Sequence, residues 1–311
     1  MQKFAENQGV DEFFICATKT VREDKNGNTF LVLQLMNARG KIAAVMWRVD
    51  PSVAESFEQG QVVKVAGTVK KSTFRNQMEI ELRSIVPVAE DEVDPAALQP
   101  VSPRDIDIMR TEFREIRGDI TNPQLTALLD EIFTPETLDA FCQAPAAKGM
   151  HHNYIHGLLE HTVSVCRVAA AIARQYQDVD ADLLLAGAIL HDIGKTVEFK
   201  YVTAIDYSDR GRLLGHIVIG EKIIADAIAR LDQFPGELEL QLLHLVLSHH
   251  GEKEYGSPVR PKTLEAFILN HADDGDAKAN IFERQRDESD APWSAYHRVL
   301  DRFLYLKKAG D

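Results

Sequence analysis

The apolar residues of this 311-residue chain change their period once. Up to about residue 88 they come in short runs rich in β-branched and aromatic residues, separated by turn residues, which is a strand pattern. From about residue 104 they recur every three to four positions, which is a helix pattern. A single switch of this kind points to an all-β unit followed by an all-α unit, and the length suits two domains.

The first unit has five expected strands: Phe13 to Val21, Thr29 to Met36, Lys41 to Trp47, Gln61 to Lys70 and Gln77 to Val86. A short helix is expected at Ser52 to Phe57, between the third and fourth. This order fits an OB-type barrel over residues 1–88. Residues 89–103 form an acidic, proline-bearing linker, Ala89 to Pro95 followed by Pro100 and Pro103. Pro103 suits the first position of a helix. The spacings of Ile106, Met109, Phe113 and Ile116, and of Leu125, Leu128, Leu129 and Ile132, predict helices. An all-α bundle is expected over 104–285, with a helical tail over 286–311.

Net charge is −13, which argues against simple electrostatic adhesion to nucleic acid. The first 90 residues are nearly neutral at +1, however, so the acid sits in the second part. Lys64, Lys70, Lys71, Arg75 and Arg83 outnumber Glu79 and Glu81 in one stretch that also holds Phe74. Cations that track a phosphate backbone and an aromatic for base stacking suit single-strand binding. A solvated hairpin packing its aromatic on the barrel is the plainer reading of any one residue. Cys16, Cys142 and Cys166 are odd in number and lack CxxC spacing, so buried thiols are expected. The N-terminus has no signal-like pattern and no apolar run is long enough to span a membrane, so a cytoplasmic protein is expected.

The chemistry-bearing residues lie in the second unit. An apolar run, Asp182 to Leu190, ends in His191-Asp192-Ile193-Gly194-Lys195, with Gly194 read as the helix stop. His161 follows the stripe of Leu158, Val165 and Val168. His216 opens the expected helix Gly215 to Leu231. The helix Leu238 to Leu247 ends in Ser248-His249-His250-Gly251, and Asp273 sits in Thr263 to Asp274. One inward histidine is ordinarily a hydrogen-bonded core residue. Seven metal-capable side chains at helix ends or inner faces suit a shared site for divalent transition metals.

His161, His191-Asp192 and Asp273 resemble the H…HD…D signature of the HD-domain metallohydrolases. His216 and His249-His250 resemble the added ligands of its binuclear phosphodiesterases. The strings His151-His152-Asn153-Tyr154, Gly157 to Thr162, His191 to Lys195, Ser248 to Gly251 and Ala272-Asp273-Asp274 are similar to YhaM-type 3′-5′ exoribonucleases, which also carry an N-terminal OB domain. His156 stands where that family usually has glycine. Asn270 and Gly275 stand where histidine and leucine are usual, which leaves Asp273, Asp274 and Asp276 as alternatives for the last ligand.

The resemblance implies one ion on His161, His191, Asp192 and Asp273, and a second on Asp192, His216, His249 and His250, with Asp192 bridging. It implies manganese, with iron or another transition metal left open. Such a pair lowers the pKa of a water and sets it in line with a phosphorus atom. Asp192 and Lys195 are the candidate catalytic residues. Lys195 would hold the scissile phosphate or the leaving oxygen, against the plainer reading of a lysine on a helix dipole. His151, His152, Asn153 and Tyr154 are candidate substrate contacts or caps. Trp47, Lys70, Lys71, Phe74, Arg75 and Arg83 are the candidate nucleic-acid face. The implied substrate is single-stranded RNA, with single-stranded DNA and a homo-oligomer left open and no membrane partner. The rivals are an HD-type hydrolase of a cyclic dinucleotide or nucleotide, and a binding protein without catalysis. This chain lacks the Gly-Tyr-Pro feature of cyclic-dinucleotide members, which lowers the first, and the retained ligand set speaks against the second.

Overall fold

The computed structural model describes residues 4–72, 77–89, 92–93, 95–149, 152–201, 205–288 and 291–307. Two compact units divide the chain: Met1–Pro103 with Tyr201–Ile205, and Arg104–Lys200 with Asp206–Asp311.

In the first unit β1 (Gly9–Glu23), β2 (Thr29–Asn37), β3 (Gly40–Met46), β4 (Val62–Lys71) and β5 (Met78–Pro87) close a barrel in the order β1-β2-β3-β5-β4. All pairings are antiparallel except that of β3 with β5. Alternation explains the closure. Leu31, Leu33 and Leu35 of β2 point inward with Phe14, Val63, Val65, Val69 and Ile80, every one at 2% exposure or less. Burying a side chain of this size contributes roughly 1.5–3 kcal/mol. The helix α1 (Pro51–Glu55) starts on an Asp50 cap that accepts from Ser52 N, and Ala54 and the following Phe57 add to the barrel core.

The second unit is helical: α2 (Ile106–Gly118), α3 (Pro123–Ile132), α4 (Pro135–Gln143), α5 (Gly157–Ala173), α6 (Ala181–Leu190), α7 (Lys195–Glu198), α8 (Asp209–Ile228), α9 (Gly236–Ser248) and α10 (Leu264–Glu288). A two-stranded ribbon of β6 (Phe199–Lys200) and β7 (Asp206–Tyr207) lies between α7 and α8. The helix α6 has no polar face. Leu183, Leu184 and the run Ala186 to Leu190 are buried, so it runs through the middle of the bundle against α5, α9 and α10. Cys16, Cys142 and Cys166 are free and buried. Among the described residues no helix is long and apolar enough to cross a membrane.

Three local expectations are corrected. The cap of α2 is Asp105, whose carboxylate accepts from Asp107 N and Ile108 N, so Pro103 lies outside the helix. Gly194 does not stop α6 in a left-handed turn. Its φ is −62° and it opens α7. A Cβ there would stand 2.0 Å from the carbonyl of His216, so glycine lets two backbone segments of the site touch. Finally, α10 ends at Glu288, and no helix follows among the described residues of 286–311. Residues 292–297 and 302–306 instead form a short antiparallel ribbon, through Ser294 N to Leu304 O and His297 N to Arg302 O, both 2.9 Å.

Candidate metal centre

Five histidines converge because each sits at a helix end or on an inward face. His161 lies in the first half of α5, buried on all sides. His191 and Asp192 follow the last turn of α6, and His249 and His250 follow α9. His216 begins the second part of α8, just after Gly215, whose φ of 73° breaks the helix and redirects it. Asp273 comes from α10.

Every one of these rings has its Nδ1 facing an oxygen. His161 Nδ1 lies 2.7 Å from Asp276 Oδ2, and His191 Nδ1 lies 2.8 Å from Ala188 O. His249 Nδ1 is 2.6 Å from Val246 O, His250 Nδ1 is 2.8 Å from Tyr255 O, and His216 Nδ1 is 3.2 Å from Glu198 Oε1. A carbonyl or carboxylate can only accept, so Nδ1 carries the proton in all five. With Nδ1 so engaged, Nε2 is the atom each ring turns toward the centre, and orienting acceptors of this kind are what metal-ligating histidines use.

Asp192 stands between two triads. Its Oδ2 is 3.2 Å from His191 Nε2 and 3.5 Å from His161 Nε2, while its Oδ1 is 3.4 Å from His216 Nε2 and 3.6 Å from His249 Nε2. Asp273 Oδ1 closes the first group, 3.1 Å from His161 Nε2. The donor atoms of His161, His191 and Asp273 all lie within 4.8 Å of one another, and so do those of His216, His249 and His250. Among the described residues Asp192 Oδ1, His216 Nε2 and His249 Nε2 are buried with no hydrogen-bond partner. Orphaned buried acceptors cost roughly 1–3 kcal/mol each and do not gather without a reason. Donors about 2.1 Å from one cation stand about 3.0–3.4 Å apart, which is close to the spacings found. The residues fit divalent metal ions.

The charges agree. Burial pushes the His249 and His250 imidazoles down, which keeps them neutral. Burial works to raise Asp192, but the Lys195 ammonium and the His191 imidazole hold it well below the usual carboxylate range. Asp273 is held low mainly by its bond with His161, again against burial. Burial works to lower His161, yet its contacts with Asp273 and Asp276 carry it up to about 10. Lys195 Nζ is 2.5 Å from Asp192 Oδ2 and the residue is nearly buried.

Asp276 and Asp274 stand elsewhere. Asp276 serves the far nitrogen of His161, and Asp274 pairs with Lys278 at 2.6 Å on the surface. His152 and Tyr154 are buried, at 2% and 4% exposure. His152 Nε2 reaches Asp276 Oδ2 at 3.0 Å, and its Nδ1 reaches Tyr154 Oη at 3.0 Å. Asn153 accepts from Arg284 Nη1 at 2.8 Å, and His151 lies outside the described residues. His156 has φ 69° and its Nδ1 is 2.6 Å from Cys142 O, so it adopts the backbone that glycine favours. Asn270 donates to His249 O at 2.7 Å, fixing the histidine pair from α10. Sequence reasoning missed Glu198, which also accepts from His216 N at 3.0 Å. Its place becomes visible only once α7 meets α8. Arg260 pairs with Glu252, as a surface arginine would.

On the barrel, Trp47, Thr68, Lys70, Glu81, Leu82 and Arg83 line one depression. Trp47 is 47% exposed and stacks on Phe30 at 4.8 Å. Lys70 pairs with Glu81. Lys71 is exposed at the strand end and does not line the depression, and Lys64 pairs with Asp11 at 3.5 Å. Phe74 and Arg75 lie outside the described residues.

Comparison with known proteins finds an HD domain over residues 158–278 and an OB-fold nucleic acid binding domain over residues 15–88. Among solved structures the chain is similar to an aspartyl tRNA synthetase from Entamoeba histolytica, at 13% identity and a TM-score of 0.23. That match covers 77% of this chain and 55% of the synthetase chain, and a likeness so faint carries no argument.

Proposed function

We propose that this chain is a metal-dependent 3′-5′ exoribonuclease that releases 5′-mononucleotides from single-stranded RNA. The HD domain and the OB-fold nucleic acid binding domain together support a hydrolase that acts on nucleic acid. The observation that carries the reading is the position of Asp192, whose two oxygens each face a different group of imidazole Nε2 atoms. A pair of divalent ions, most simply manganese, would supply Lewis acidity toward the phosphoryl oxygens and a more acidic water.

His161, His191, Asp192 and Asp273 would hold one ion, and Asp192, His216, His249 and His250 the other. Asp276 and Glu198 keep His161 and His216 in the tautomer that offers Nε2. Lys195 keeps Asp192 ionised in a buried place and adds positive charge where the phosphorane charge builds. His216 and His250 are the partly exposed members of the cluster, so the phosphodiester approaches from their side. Water adds to phosphorus, the bond from phosphorus to the upstream O3′ breaks, and the proton ends on that O3′. The phosphate leaves with the terminal nucleoside. The barrel depression at Trp47, Lys70 and Arg83 holds the upstream strand by stacking and charge, which gives a polymer an advantage over a small substrate. The resemblance to YhaM-type enzymes supports the direction of digestion.

The experiment is incubation of 5′-end-labelled RNA with manganese, with and without chelator. A ladder that shortens from the 3′ end and stops on chelation is expected. Intact RNA beside a hydrolysed cyclic dinucleotide would overturn the reading in favour of a small-substrate phosphodiesterase.

A further inference from the structure

The ribbon at residues 292–306 has two unlike faces. Leu300, Leu304 and Leu306 turn inward and pack on Ile281 and Phe282 of α10. Four aromatic residues of the same ribbon turn outward. Trp293, Tyr296, Phe303 and Tyr305 are 57%, 49%, 60% and 50% exposed. The four rings form two cross-strand pairs, Trp293 with Tyr305 at 5.0 Å and Tyr296 with Phe303 at 5.4 Å. Four large aromatic faces in water on one side of a two-stranded ribbon are a cost that folding alone does not explain.

The surrounding charge says what covers them. Arg298, Arg302 and Lys307 are exposed on this ribbon. The acid among the described residues 291–307 is Asp301, which accepts from the Tyr296 hydroxyl. The rest of the helical unit is acidic, so the ribbon is a positive island. A second copy seated on it through a two-fold axis would bring these cations against themselves. A polyanion with flat bases meets both features: phosphates at the cations, bases on the rings. Phe303 and Tyr305 are two residues apart on one strand, about 6.6 Å, a spacing that lets successive unstacked bases sit on successive rings.

We infer that the ribbon of residues 292–297 and 302–306 is a stacking platform for single-stranded nucleic acid, separate from the barrel face. Its purpose rests on the reading of the chain as a nuclease of single strands. The supporting helix α10 also carries Asp273, eight residues before Ile281, about 12 Å along the helix axis. A strand lying on the ribbon is therefore within a few nucleotides of the metal centre.

Trp47 and Trp293 are the two tryptophans of the chain, so Trp47→Phe leaves Trp293 as the sole reporter. That variant is titrated with a fluorescein-free oligouridylate bearing phosphorothioate linkages, and Trp293 emission is compared with binding followed by anisotropy of a labelled copy. Saturable quenching in step with binding is expected. The exposed pair Phe303→Ser and Tyr305→Ser should weaken binding roughly tenfold per ring. Binding without a change in Trp293 emission overturns the inference, and so does undiminished binding by the Phe303→Ser, Tyr305→Ser variant. Emission that depends on protein concentration without oligonucleotide overturns it in favour of a second copy. Cleavage of unmodified RNA is measured separately, so loss of the platform and loss of the nuclease reading give different results.

Discussion

Asp192 Oδ1 lies 3.4 Å from His216 Nε2, and neither atom has a hydrogen-bond partner although both are buried. Two acceptors do not hold that distance through attraction to each other. A cation between them accounts for the approach, and the same holds for His249 Nε2 at 3.6 Å.

Asp192→Ala removes the group shared by both triads. Turnover of RNA should fall on the order of 10³-fold, the scale of losing a group that stabilises developing charge. RNA affinity, measured by filter binding in chelator, should change little. Unchanged turnover would remove Asp192 from the chemistry.

Glu198→Gln and Asp276→Asn keep the shape of the acceptors and weaken their charge. Each should lower metal affinity or activity by roughly 10–100-fold. The two should differ in which ion is lost. Glu198 supports His216, and Asp276 supports His161. Metal titration by isothermal calorimetry reads both losses, and an equal loss at both sites would contradict the separate assignments.

His161 gives a pH dependence. Its folded pKa is about 10, above the ordinary value of 6.5. In chelator-stripped protein its pairing with Asp273 and Asp276 therefore contributes stability that is full below about 6.5 and is lost as pH rises through about 10. A cation on Nε2 must displace that proton. Metal binding at pH 7.5 should release protons, and apparent affinity should rise with pH. Calorimetry in two buffers of different ionisation enthalpy measures the release. No buffer dependence would mean that Nε2 of His161 is not a ligand.

Trp47→Ala and Arg83→Ala test the barrel face. Each should raise KM for a long RNA, by about tenfold for the stacking residue, while hydrolysis of a dinucleotide is unchanged. Arg83→Ala should also reduce the salt slope of long-RNA binding by about 0.7. Equal losses on both substrates would show that the depression does not hold the strand.

Much of this was legible in the sequence because the signals were local. The run Thr29 to Met36 predicts a barrel strand, and the apolar run before His191 predicts a helix, which the structure buries on all sides. The histidines stand out because seven metal-capable side chains sit at helix ends or inner faces and their strings resemble a known family. What stayed hidden depends on contacts between distant segments. Glu198 meets His216 across the α7–α8 corner, and Asp276 meets His161 across 115 residues. Gly194 reads as a helix stop until the carbonyl of His216 is seen beside it. The spacing of Tyr296, Leu300 and Phe303, at four and three, is compatible with a helical tail as well as with the ribbon that forms. The alternation of Phe303, Leu304, Tyr305 and Leu306 is the pattern that the fold obeys.

Anomalous diffraction at the manganese edge, from crystals grown with that ion, reads directly whether Asp192 joins two metal positions. Two peaks a few ångströms apart are expected, sharing Asp192, one beside His161, His191 and Asp273 and the other beside His216, His249 and His250. No peak at Asp192, or manganese held only by exposed carboxylates, would contradict the account.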